Sequence, residues 1–385
     1  MASVAGDPSA PSSAPAPSVG PGQGPPQSAG GGAARVARGA LGRVLSLREG
    51  SIVVVTIVTA IYFTANTESF FTTANFKTLL PYFAPFAIIA AGEVFVMILG
   101  EIDLSIGAMY LFTPFLFYKL SATWGVPLVP SVVIALLVCM GVGLANGFAV
   151  AVIGINSFVA TLGMLFTFEG LALIVSHGET KSIPGAEVTH SEVKVSHVVN
   201  GHHITLTESV NHIGTFAKIF GAGTYSELIW ALAIVIVLQV VLTFTRWGLY
   251  TVAIGSNKLG AAEAGVRVTS VMIRNFVLCA LTAGLVGILE AVRAGSIQPD
   301  PAGANEILFF AIAAGVIGGT LLTGGSGTVV GALIGALFLG ILKDGLVLKG
   351  VNANYLLFYT GLAILIAMTV NIYVQRVRRG HTASG

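Results

Sequence analysis

Charge is what this chain has least of. Only 9% of its 385 residues are Asp, Glu, Lys or Arg, against about 25% in an ordinary soluble domain whose surface must satisfy water. That deficit excludes a soluble enzyme. The few charges are balanced, 19 Lys and Arg against 17 Asp and Glu, without the clustered cations that grip a polyanion, so nucleic acid is not an expected partner. Cysteine is nearly absent. Cys139 and Cys279 both sit in apolar runs, where they offer neither a disulfide framework nor a metal ligand set and read as packing residues. No G-x-x-x-x-G-K-S/T phosphate loop occurs, so the chain is not expected to hydrolyse ATP, and no catalytic residue, cofactor or metal site is expected in it.

What the chain has in abundance is apolar length. Hydrophobic residues make up 55% of it, with 48 glycines and a mean hydropathy of +0.88. In lipid every backbone polar group must pair within its own segment, so the expected fold is an all-α polytopic membrane protein. Apolar stretches of about 20 residues predict ten transmembrane helices, at residues 50–67, 81–99, 104–122, 129–152, 157–176, 226–245, 273–293, 306–320, 328–346 and 355–373. Some of them are expected to be broken or re-entrant. Ten crossings put both termini on one side. Arg35, Arg38, Arg43, Arg48, Arg246, Arg267, Arg274, Arg376, Arg378 and Arg379 fall on that side and only Arg293 of the 11 arginines on the other, which makes it cytoplasmic by the positive-inside rule. Lysine discriminates poorly, with only Lys258 of eight inside.

Residues 1–34 hold seven of the 15 prolines and one charge, Asp7, and with so little to bury they read as a disordered tail. Residues 35–385 form the transmembrane domain. Two of its connections are long. The outer loop, 177–225, contains alternating stretches at Val193–Val199 and Ile204–Thr207 around Asn200-Gly201, a hairpin signal. It also holds six of the seven histidines (His177, His190, His197, His202, His203 and His212), whose spacing suits a solvated, pH-sensitive loop better than a metal site. In the inner loop, 246–274, Asn257 can cap a short helix through Lys258, Leu259, Ala261, Ala262 and Glu263 that Gly265 ends.

The acids Glu93, Glu101, Asp103, Glu169 and Glu290 fall in or beside apolar segments, and buried carboxyls are functional candidates because they are costly to place there. Asp103, in Gly100-Glu101-Ile102-Asp103-Leu104-Ser105-Ile106-Gly107, stands where one helix ends and another begins. Capping the free N–H groups of the second helix is its expected role. Gly327, Gly331 and Gly335 repeat at four-residue spacing after a glycine cluster at 318–327, a strip for close helix packing.

These segments resemble the membrane-spanning permease subunits of ribose-type ABC sugar importers. The resemblance rests on Gly100–Gly107, on Ser157-Phe158-Val159-Ala160-Thr161-Leu162-Gly163, on Arg246-Trp247-Gly248 through Asn257, on Ala261-Ala262 with Gly265-Val266, and on Gly318–Gly331, in order from about residue 75 onward. Glu101 stands where the family has a glycine, Glu93 where an apolar residue is common, and the outer loop is longer. The resemblance implies a bacterial inner-membrane importer built from two permeases, as homodimer or heterodimer. Two cytoplasmic ABC ATPase subunits would hydrolyse the ATP, and an extracytoplasmic binding protein would deliver a simple sugar or polyol. A chain without an ATP site must then receive work through the Asn257–Gly265 helix. Ser105, Phe158 and Thr161 join Glu93, Glu101 and Asp103 as candidate pathway residues. The rival reading is an ion-coupled secondary transporter using the intramembrane carboxylates. It predicts an inverted repeat, but Ile98–Gly107 and Val316–Gly325 match at only four positions.

Overall fold

The computed structural model describes residues 49–199 and 202–382, without the side chains of 188–199, 202–212, 370–371 and 373–382. The expected proline-rich tail and Asn200-Gly201 therefore lie outside the described residues, and of the loop histidines beyond His177 only the backbone is described. Each of the ten expected spans falls on a helix: α1 (Gly50–Asn66), α2 (Thr73–Ile98), α3 (Ile106–Tyr118), α4 (Leu128–Phe148), α5 (Ser157–Ser176), α7 (Ser226–Phe244), α10 (Val268–Ala294), α11 (Pro301–Ile317), α12 (Val329–Leu348) and α13 (Ala353–Thr382). Short pieces complete the order: α6 (Thr215–Ile219), α8 (Arg246–Ser256), α9 (Lys258–Glu263), and strands β1 (Lys181–Ser182), β2 (Val188–Val199), β3 (His202–Ile213) and β4 (Ser296–Ile297). Among the described residues, six helices are long and apolar enough to cross a membrane outright. The chain is an all-α polytopic membrane protein.

Local chemistry sets the helix ends. Thr72 caps α2 by accepting from the Asn75 N–H, and Asn156 caps α5 by accepting from Phe158 N–H. π-helical turns at Lys119–Thr123 and Ala149–Ile153 extend α3 and α4, and the second closes on Gly154 at φ +83°. Helix α2 starts eight residues earlier than the expected 81–99 because Pro81 and Pro85 lie inside it and do not end it. The Gly327, Gly331 and Gly335 strip is also modified. Gly331 and Gly335 lie in α12, where a Cβ would strike the carbonyls of Gly318 and Ala314, but Gly327 precedes the helix and packs on Ile98 and Thr320.

Burial sorts the long helices into two shells. Some 89% of the most apolar stretch of α2 is buried, with 72% for α10 and 67% for α12, against 33%, 22% and 28% for α4, α5 and α7. The outer helices present Val133, Leu137, Phe166, Ile236 and Val237 outward, the face that lipid or another apolar surface must cover. Inside a bilayer no hydrophobic force drives helices together, so close backbone approach has to. Gly143 and Gly147 of α4 lie against the backbone of α10 at Phe276, Val277 and Ile273, leaving no room for a methyl group.

At one end of the bundle β2 and β3 pair antiparallel from Val188↔Ile213 to Val199↔His202, as the hairpin signal predicts. The root of the same loop is tied down separately. β1 pairs with β4, Lys181 opposite Ile297 and Ser182 opposite Ser296, and Ile183 N–H donates to the Gly295 carbonyl at 3.0 Å. Beside β1, the hydrogen bond from Lys181 and its charge hold the exposed Glu179 carboxyl below the usual range. Helix α7, about 28 Å long at 1.5 Å per residue, separates this end from α8 and α9.

Candidate functional site

Three features could carry function, and the break between α2 and α3 is the first. Gly100 turns the chain at φ +81°, and Asp103 then folds back. Its Oδ1 accepts from the Ser105 N–H at 2.9 Å and from Ser105 Oγ at 2.6 Å. The carboxylate thus satisfies one free N–H as expected, but the helix begins at Ile106, so the formal cap position belongs to Ser105, not Asp103. Around this turn a fully buried polar cluster assembles from four elements. Glu93 of α2 accepts from the Asp103 N–H at 3.1 Å and from Cys279 Sγ of α10 at 2.9 Å. Asn146 of α4 donates to Ser105 Oγ at 2.8 Å. Thr161 of α5 accepts from Leu104 N–H at 3.0 Å, and Ser157 Oγ from Ile102 N–H at 3.4 Å.

The structure therefore brings together four of the six candidate pathway residues: Glu93, Asp103, Ser105 and Thr161. Glu101 is half-buried outside the cluster, and Phe158 is 52% exposed on the outer surface of α5. Cys279 and Asn146 complete the cluster and were not legible as members, because nothing in an apolar run marks which of its faces turns toward a distant carboxyl.

The second feature is the α8–α9 arm. Asn257 caps α9 by accepting from Gly260 N–H at 2.9 Å, and Gly265 ends the arm at φ +83°. Ala261 is buried, while Lys258, Leu259, Ala262, Glu263 and Gly265 are exposed. Leu259 is 71% exposed, an apolar side chain that follows Lys258 and precedes Glu263 by one helical turn. The root of the arm is clamped. Gly255 lies so close to the Ile98 carbonyl and the Gly325 N–H that a Cβ would overlap both, and Gly325 N–H donates to that carbonyl at 2.7 Å. Arm, α2 terminus and glycine loop meet at one point, five residues before Asp103.

The third is a cavity of about 540 Å³ among α2, α3, α10, α11 and α12, with β4 and the chain after it along one edge. None of the candidate pathway residues lines it. Its aromatic walls are Tyr82, Phe86 and Tyr110, and its charged groups are Glu290, Arg293, Asp300, Glu306 and Lys343. Each cation is already paired. Arg293 meets Glu227 Oε1 at 3.0 Å and Glu290 Oε2 at 2.5 Å, and Lys343 meets Glu306 Oε1 at 2.7 Å while lying over the Phe310 and Tyr82 rings.

A helical membrane bundle with a helix break at its core, a clamped amphipathic arm at one end and a polar cavity defines a membrane permease. The chain belongs to the family described as branched-chain amino acid transport system / permease component, whose profile matches residues 75–368. Among relatives, it is 33% identical over 334 residues to the xylose/arabinose import permease protein XylH of Sulfolobus acidocaldarius, covering 85% of this chain and 86% of the relative. It is 31% identical over 328 residues to the ribose import permease protein RbsC of Escherichia coli K12, covering 84% and 94%. The fructose import permease protein FrcC of Rhizobium meliloti matches at 30% over 312 residues, 80% of each chain. No solved structure matches. The resemblance to ribose-type permeases is borne out across the span that carried it.

Proposed function

We propose that the chain is the permease subunit of an ATP-driven importer that moves a simple sugar or related polyol across a bacterial inner membrane. The observation that carries the reading is the α8–α9 arm: a capped, amphipathic, solvent-facing helix whose root touches both the α2 terminus and the glycine loop. An ATPase subunit bound to Leu259 and its charged neighbours would move that root, and the move would reach the Asp103 turn through backbone contacts alone. The arm would face the cytoplasm and the hairpin the opposite side, as the arginine distribution favours. Two copies of the permease, two ABC ATPase subunits and an extracytoplasmic binding protein would form the working assembly. The sugar class follows from the relatives, whose names specify ribose, xylose or arabinose, and fructose, whereas the family description names amino acids.

In this scheme Glu93, Asp103, Ser105 and Thr161 hold the break at the centre of the bundle. Their hydrogen bonds run mainly to one another and to backbone, which suits a hinge that must reset after each cycle.

The test is reconstitution of the permease in liposomes with an ABC ATPase and an extracytoplasmic binding protein from the same genome. ATP-dependent uptake of D-ribose, D-xylose or D-fructose, insensitive to collapse of proton and sodium gradients, is expected. Uptake that fails with ATP but follows an ion gradient would replace this reading with the secondary transporter. Cysteine pairs between Leu259 or Ala262 and the ATPase should crosslink; crosslinks at other loops but not here would remove the arm from its role.

A further inference from the structure

We infer that the cavity among α2, α3, α10, α11 and α12 is a solute-binding chamber within each permease protomer, built for a neutral, polyhydroxylated molecule. The inference rests on the sugar-permease reading and adds to it a place and a set of recognising residues.

Three observations lead there. The chamber's volume, about 540 Å³, lies within the roughly 300–1,000 Å³ range of small-molecule sites. Both of its cations are engaged, Arg293 with Glu227 and Glu290 and Lys343 with Glu306, while Asp300 caps α11 by accepting from Ala302 N–H. An amino-acid carboxylate would meet no unengaged Lys or Arg among the described lining residues. A sugar hydroxyl needs only a donor or acceptor, and ion-paired groups still offer both. Tyr82, Phe86 and Tyr110 supply the flat apolar faces that sugar C–H groups cover.

The prolines are the third observation. Pro81, Pro85 and Pro114, which all lie inside helices, all line this chamber. A proline inside a helix cannot donate to the carbonyl four residues earlier, so the carbonyls of Lys77, Pro81 and Tyr110 lose those helix partners. Irregular backbone at membrane depth survives where it faces protein or a water-filled cavity. Of these three residues Pro81 and Tyr110 themselves line the chamber, so the carbonyls freed there are candidate acceptors for hydroxyl donors.

The way in is at the hairpin end. Gln298 and Asp300 are exposed at the rim, and β4, which forms part of it, is hydrogen-bonded to β1 at the root of the hairpin loop.

The test uses the complete importer in lipid nanodiscs with one rim reporter, Gln298→Cys; the native thiols, Cys139 and Cys279, are buried. Maleimide labelling of the reporter should slow severalfold with whichever of D-ribose, D-xylose and D-fructose the importer takes up, and not with L-leucine. Glu306→Gln should shift the sugar concentration giving half-protection by about tenfold, the loss of one charge-assisted hydrogen bond, while the thermal midpoint stays near that of the reporter alone. A sugar imported at the normal rate with no protection and no effect of Glu306→Gln overturns the chamber and leaves the permease reading standing. Import of L-leucine, with leucine protecting the reporter and no sugar doing so, overturns both.

Discussion

Gly255→Ala adds one methyl group at the most crowded point of the arm. Its Cβ would overlap the carbonyl oxygen and carbon of Ile98 and the backbone nitrogen of Gly325. Side chains can rotate out of the way; these three atoms are main chain at the end of α2 and in the glycine loop. Relief therefore requires moving one backbone segment against another, and overpacking of this kind costs about 1–3 kcal/mol. The same shift breaks or lengthens the 2.7 Å hydrogen bond from Gly325 N–H to the Ile98 carbonyl, adding about 0.5–1.5 kcal/mol. The combined penalty is roughly 2–4 kcal/mol. Gly163→Ala is the matched control, since nothing lies within 4 Å of a Cβ there. In detergent the Gly255 variant should melt clearly below wild type and the Gly163 variant should not. In the reconstituted importer, Gly255→Ala should hydrolyse ATP with little uptake per ATP. Equal midpoints for the two variants, with wild-type uptake per ATP, would refute the idea that work passes through this contact.

Asp103→Asn keeps an acceptor for the Ser105 N–H and should retain much of the uptake, whereas Asp103→Leu leaves that N–H and the Ser105 hydroxyl proton without their acceptor in a buried cluster and should yield little assembled protein on size-exclusion chromatography. A monodisperse Asp103→Leu permease with normal ATP hydrolysis and no transport would move Asp103 from structure to solute handling. Asn257→Ala removes the α9 cap, worth about 1 kcal/mol, and should raise hydrogen exchange in α9 and lower uptake without changing permease yield; unchanged exchange would mean that the ATPase or the membrane, not the cap, orders this helix. Deleting Val188–Thr207 spares β1 and its pairing with β4, so the permease should keep its thermal midpoint and lose uptake that depends on the binding protein. Unchanged uptake and pH profile would leave the hairpin as a cover only.

The ten spans were legible because a helix that crosses lipid must be apolar along its whole length, and a continuous run is visible without knowing its neighbours. Helix α9 of the arm was legible for a local reason: Asn257 and Gly265 mark its two ends through capping and a left-handed turn, both short-range effects. Pro81 misled the expected start of α2, because proline is a helix terminator in water but is tolerated where neighbouring helices or a cavity receive the freed carbonyls. Of the chamber only Glu290 was marked, as an acid in an apolar segment. Tyr82, Tyr110, Glu290, Glu306 and Lys343 lie on five different helices, and their convergence depends on packing angles that leave no mark in any one segment. The polar cluster fell between these cases: Asp103 and Ser105 announce a turn, but the partnership of Glu93 with Cys279, 186 residues away, exists only once α2 and α10 have met.

The four-residue bridge between β1 and β4 makes the hairpin root and the chamber rim a single mechanical object. Affinities that share such an object are reciprocal: if a partner pressing on the root changes how tightly the chamber holds its occupant, the occupant changes the partner's grip by the same factor. A coupling of about 1.4 kcal/mol would make that factor about ten. A filled chamber would then report itself to the outside surface before the helices move, so that release of an emptied carrier and acceptance of the next would be governed by occupancy as well as by concentration.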